Sequence, residues 1–196
     1  MPSRSPAPQN FLASCEVIDF DNPDVAALAA CLKRDNSTDT AQACFEFVRD
    51  EIKHSSDHQL NPVTCTASEV LKHGTGYCYA KSHLLCALIR ANGISAGMTY
   101  QRLSIDGEGP PFCLHGLNAV YLEEHGWYRI DPRGNRDDVD AQFDPPHEKL
   151  AFATNLPGEY DLASICAKPM PIVLKALRAY TNWCELGENL PDVQQS

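Results

Sequence analysis

Apolar positions recur along this chain in two periods, and the change from one to the other falls near residue 94. Phe11, Ala13, Cys15 and Val17 alternate with a period of two, which predicts a strand within residues 11–20. Asn22-Pro23-Asp24 then reads as a helix start: a capping side chain, a proline in the first turn and an acid at the positive end of the dipole. Val25, Leu28, Ala29 and Leu32 give that helix an apolar face, and Ala41, Cys44, Phe45, Val48 and Ile52 give one to a second helix starting near residues 38–40. Thr66-Ala-Ser-Glu69 has capping-box spacing and opens a short helix stopped by Gly74. A tight turn, Gly74-Thr-Gly76-Tyr77, leads straight into Cys78, and residues 78–91 form a strongly apolar helix that ends at Asn92-Gly93.

Beyond that point strands are predicted at 94–103, 115–122 and 127–131, with a Gly- and Pro-rich loop over 106–111. Residues 132–171 read poorly apart from a short strand at 150–153, and one more helix is predicted at 172–183. Helices that precede strands in this way predict an α+β domain spanning residues 1–196, with a mainly antiparallel sheet. The ends, about 1–10 and 185–196, are expected to be loose. If residues 122–126 form a hairpin loop, Tyr121 faces Trp127 and Asp131 lies opposite Leu117, on the sheet face of His115 and diagonal to it. A loop one residue different would put the two on opposite faces.

Composition narrows the function classes. With 43% hydrophobic and 21% charged residues the chain looks like an ordinary globular protein. Its formal charge of −10 argues against nucleic acid or an anionic membrane as the main partner, because both need a basic face. Nine scattered cysteines with no CxxC pair, and no basic-then-apolar leader, fit reduced thiols in a cytoplasmic enzyme. No metal or cofactor is expected. Asp137, Asp138 and Asp140 lack the glycine and spacing of a calcium loop, and Cys113 with His115 has no second ligand pair.

The chemistry centres on Cys78. A thiol at the first turn of a helix meets unpaired N–H groups and the positive end of the dipole, which favour the thiolate. A neighbouring backbone N–H is also available to a developing oxyanion. Cys44 and Cys86 sit on apolar helical faces and read as core. Cys113 is the rival, two residues from His115 but without a helix to activate it. His115 suits a general base and acid, and Asp131 suits the group that orients it. The plainer readings are a buried structural cysteine, a strand histidine and a turn aspartate before Pro132.

Three blocks in order resemble the transglutaminase-like superfamily: ASEVLKHGTGYC at 67–78, LLCALIRANGIS at 84–95 and HGLNAVYLEEHGWYRIDPRGN at 115–135. Ser95 stands where proline is usual, Tyr77 where an acidic or small residue often precedes the cysteine, and His115-Gly116 where His-Ala-Trp is more usual. The resemblance implies a papain-like core with Cys78 as nucleophile, His115 as base and acid, and Asp131 as orienter. For a second oxyanion donor, Gln59, Asn61 and His54 stay open. The implied activity is thiol-dependent acyl transfer or hydrolysis at an amide or peptide carbonyl through a thioester. A cysteine protease or amidase would resolve that thioester with water, a transglutaminase with an amine. The expected substrate is a peptide or protein amide, or a small amide, and the alternative is a non-catalytic interaction module on the same fold.

Overall fold

The computed structural model describes residues 6–193. After a single 3₁₀ turn at Pro8–Phe11 come α1 (Pro23–Leu32), α2 (Ser37–Glu51), β1 (Lys53–His54), α3 (Ser55–His58), α4 (Ala67–His73) and β2 (Thr75–Gly76). α5 (Cys78–Ala91) leads into β3 (Ala96–Ser104), β4 (Phe112–Leu122) and β5 (Gly126–Ile130). The last elements are β6 (Gln142–Asp144), β7 (His147–Lys149), β8 (Tyr160–Asp161), α6 (Pro171–Ala179) and α7 (Trp183–Gly187). The main sheet is antiparallel in the order β5-β4-β3-β8. α5 lies on its inner face, covered on the other side by α1, α2 and α4. The class is therefore α+β with a mainly antiparallel sheet, as the order of periods predicts.

Local signals account for where the first helices start. Asn22 Oδ1 accepts from the amides of Asp24 and Val25, Asn36 caps α2 through the Asp39 amide, and Thr66 with Glu69 forms the capping box of α4. Gly74 ends α4 at φ 64°, a left-handed conformation that glycine adopts without a Cβ clash. Every residue of α5 from Cys78 to Arg90 is buried, so this helix is sandwiched between two layers instead of facing water on one side.

Four stretches differ from their predicted form. Residues 11–20 make no strand; Val17 and Ile18 are both buried, which breaks the alternation, and Arg90 pins the segment by donating to the Ala13 carbonyl. The strand expected at 150–153 lies at His147–Lys149, where it pairs with β6. The helix expected at 172–183 ends at Ala179, and Asn182 caps a new one through the Cys184 amide. Residues 185–193, expected to be loose, continue through α7 and run back along the sheet, where the Leu114 amide donates to the Pro191 carbonyl. The same expectation for residues 1–5 and 194–196 lies outside the described residues.

The register that matters for the site is as predicted. Tyr121 pairs with Trp127, their rings edge to face at 5.7 Å, and Asn118 pairs with Ile130. The next step of the ladder sets Asp131 opposite Leu117, two residues from His115 on the same face.

Candidate active site

The structure brings together Cys78, His115 and Asp131. Cys78 is the first residue of α5, where the helix has amides without intrahelical partners. His115 comes from the middle of β4, and Asp131 directly follows β5. All three are buried, at 7%, 5% and 1% exposure. His115 Nε2 and Asp131 Oδ2 are 2.7 Å apart. That bond leaves Nδ1 as the ring nitrogen free to face the cleft that His115 shares with Cys78. The Gly116 amide donates to Cys78 Sγ at 3.4 Å.

The electrostatics follow from these contacts. Burial works against a charged imidazole, but the Asp131 carboxylate and the Cys78 sulfur outweigh it and push His115 up to about 10. Burial would likewise raise Asp131, but His115 and the amides of Ala151 and Arg133, each donating at 3.1 Å, hold it below the ordinary carboxylate range. The arrangement favours a proton on the ring, facing the Asp131 carboxylate.

Burial governs four of the remaining thiols. Burial pushes Cys44 and Cys86 up to about 12, and it raises Cys65. Cys113 lines the same cleft as Cys78, but burial, reinforced by the Cys78 sulfur, pushes it up to about 12 as well.

Gly116 is required by packing. A Cβ there would lie 2.9 Å from Tyr79 Cδ1, 3.1 Å from Tyr79 Cα and 3.3 Å from Tyr79 N, so the start of α5 can rest on β4 only because residue 116 has no side chain. The glycine that departs from the usual family pattern is thus matched by the close approach of Tyr79.

Sequence reasoning missed the surroundings. Phe152 meets the His115 ring edge to face at 5.1 Å, and Arg133 lies over Phe152. Arg133 makes two bonds to the carboxylate of Asp57, at 2.6 and 2.9 Å. Lys81, one turn after Cys78 and wholly buried, donates to the carbonyls of Arg49 and Ile52 and ties the end of α2 to the start of α5. Burial, with the Arg133 guanidinium nearby, brings Lys81 down to about 7. Of the three possible second oxyanion donors, His54 lines the cleft, while Gln59 and Asn61 are exposed and Asn61 Oδ1 accepts from the Trp183 amide. Burial and the neighbouring Arg133 hold His54 well below the usual imidazole range, so its ring is neutral.

Cys78 and His115 open into a cleft of about 640 Å³ walled by Tyr77, Leu103, Phe152, Arg136 and Leu190. Among the described residues no group of three His, Cys, Asp or Glu side chains converges as a metal site, and no helix is long and apolar enough to cross a membrane.

The family model described as the transglutaminase-like superfamily matches residues 26–132. The chain belongs to that superfamily. The match spans more than half of the sequence and contains all three residues of the site. Among solved structures, the fold is similar to a candidate cysteine protease from Cytophaga hutchinsonii, with 21% identity, a TM-score of 0.50, and coverage of 63% of this chain and 40% of that one. A second similar structure is the periplasmic domain of TgpA from Pseudomonas aeruginosa, with 20% identity, a TM-score of 0.47, and coverage of 65% and 48%. This chain therefore aligns with less than half of either protein. A search of curated protein sequences returned no match.

Proposed function

We propose that this superfamily member is a thiol-dependent acyl-transfer enzyme acting on amide or peptide carbonyls. The observation that carries the reading is the buried 2.7 Å pairing of His115 with Asp131 beside the Cys78 sulfur at a helix start. In this scheme His115 holds the proton released by Cys78, and the sulfur attacks the carbonyl carbon. Negative charge develops on the carbonyl oxygen, which the Cys78 amide and the neutral His54 ring are suited to stabilise. As the C–N bond breaks, the imidazolium gives its proton to the departing amine and leaves a thioester on Cys78. Water, deprotonated by the same imidazole, then releases the acid and the free thiol; an amine in its place gives transamidation.

We favour water as the acceptor, so that the protein is a cysteine protease or amidase. Asp131 has an orienting role, because its carboxylate fixes the ring through Nε2 and does not need to change protonation. All nine cysteines are unpaired, and we read this as fitting a reducing, cytoplasmic setting.

The test is a panel of peptide and glutamine amides incubated with the protein, quenched in acid and mapped by mass spectrometry. The reading expects an acyl adduct on residue 78, with turnover that disappears in Cys78→Ala and His115→Ala. Turnover by a folded Cys78→Ala protein, or an adduct on Cys113 instead, would reject it.

A further inference from the structure

β5 leaves the ladder at Asn118, and below that point the outer edge of β4 has no strand beside it among the described residues. In an antiparallel pair the N–H and C=O of one residue point to the same side, so between Asn118 and the strand's first residue, Phe112, the outward groups belong to Leu114 and Gly116. α5 takes three of the four. The Tyr79 hydroxyl donates to the Leu114 carbonyl, Ser82 Oγ donates to the Gly116 carbonyl at 3.1 Å, and the Gly116 amide donates to Cys78 Sγ. The fourth is the Leu114 amide, one residue before His115. It donates to the Pro191 carbonyl at 2.7 Å.

The segment that supplies this carbonyl is hooked in place next to the cleft. Arg102 Nε and Nη2 donate to the two carboxylate oxygens of Asp192 at 2.7 and 2.8 Å, and the Tyr160 hydroxyl donates to the Val193 carbonyl at 3.0 Å. Leu190 lines the same cleft as Cys78 and His115. A strand-edge amide beside a nucleophile is what an extended peptide needs in order to add its backbone to the sheet. In this fold that amide is already occupied from within the chain.

We propose that Leu190–Asp192 is a self-inhibiting strap that holds the place of an extended peptide backbone at Leu114, and that the Arg102–Asp192 pair is its latch. The inference rests on the acyl-transfer reading and narrows its substrate class to extended polypeptides, which compete with the strap; a small amide needs no strand edge. The latch is suited to release because the Asp192 side chain is only partly buried, so a cationic or competing strand can reach it.

The experiment uses the full chain with Asp192→Lys, which sets a cation against Arg102, and Asp192→Asn as the milder variant should the first not fold. Three quantities are read: hydrogen exchange at the Leu114 amide, the rate of Cys78 alkylation by iodoacetamide, and KM for a ten-residue peptide amide against a single-residue amide. Releasing the latch should speed Leu114 exchange and Cys78 alkylation together, each by about tenfold, as expected for the loss of one charge-assisted pair. Peptide KM should fall while the small-amide KM holds. Faster Leu114 exchange with unchanged alkylation and peptide KM would mean that the segment is wall and not strap. Unchanged Leu114 exchange in the folded variants would mean that the pair is no latch. Either result overturns the proposal. Exchange and alkylation need no turnover, so failure here is distinct from failure of the acyl-transfer reading, which the residue-78 adduct decides.

Discussion

Gly116→Ala tests how closely the site depends on the contact between α5 and β4. The new Cβ would sit 2.9 Å from Tyr79 Cδ1, 3.1 Å from its Cα and 3.3 Å from its N. Ordinary carbon contacts lie near 3.5–4.0 Å, so strand and helix need to separate by about 0.5 Å. Two of the three contacts are to backbone, so turning the Tyr79 side chain does not relieve them. Overpacking of this kind costs about 1–3 kcal/mol. For a domain of this size that is about 2–12 °C in melting temperature. The displacement also acts on the Gly116 amide bond to Cys78 Sγ and on the Tyr79 bond to Leu114, the two links that set the sulfur against the strand carrying His115. A misplacement approaching 1 Å at reacting atoms lowers turnover by about 10²-fold. The assay is differential scanning fluorimetry with steady-state turnover on the best peptide amide. A variant that melts like the parent and keeps its full rate would refute the argument that a bare backbone at 116 positions the site.

Three more outcomes follow from the same geometry. Asp131→Asn removes the charge that steadies the His115 proton and should cut turnover by about 10²–10⁴-fold while near-UV circular dichroism stays native-like, though the melting point falls because Ala151 and Arg133 lose a charged acceptor. His83 is wholly buried and burial brings it down to about 4, so the unfolded chain takes up a proton before the folded one as pH falls below the ordinary histidine range near 6.5. Its contribution is therefore present above pH 6.5 and lost by about pH 4, an effect of about 3 kcal/mol; urea midpoints at pH 7 and pH 4.5 should differ less in His83→Leu than in the parent. Phe152→Ala takes away the edge-to-face contact on His115 and should cost about 1 kcal/mol in stability with a lower kcat, read from a urea melt and a progress curve.

Much of this arrangement was legible because it is local. A capping asparagine, a capping box and a left-handed glycine each mark a boundary within a few residues, and α1, α2, α4 and α5 start close to where those signals stand. The hairpin was legible because two aromatic residues one loop apart pair across a ladder, which carries Asp131 to the face of His115. Residues 137–170 gave no such signal. They hold short pieces of strand, and their contribution is made at long range: the Ala151 amide on Asp131, the Phe152 ring on His115. The Arg133–Asp57 pair joins residues 76 positions apart and follows no period, so only the folded chain reveals it. The segment at 11–20 misled because an alternating run can arise where a coil drops single side chains, Phe11 and then Val17 with Ile18, into a core built by other elements.

The central claim is that a buried imidazole keeps its proton between a carboxylate and a sulfur. Titrating the ring nitrogens of His115 by ¹⁵N NMR measures this directly. His115 should stay protonated through neutral pH and release its proton only near pH 10, and Cys78→Ala should lower that midpoint. A midpoint near the ordinary histidine value, unmoved by Cys78→Ala, would contradict it.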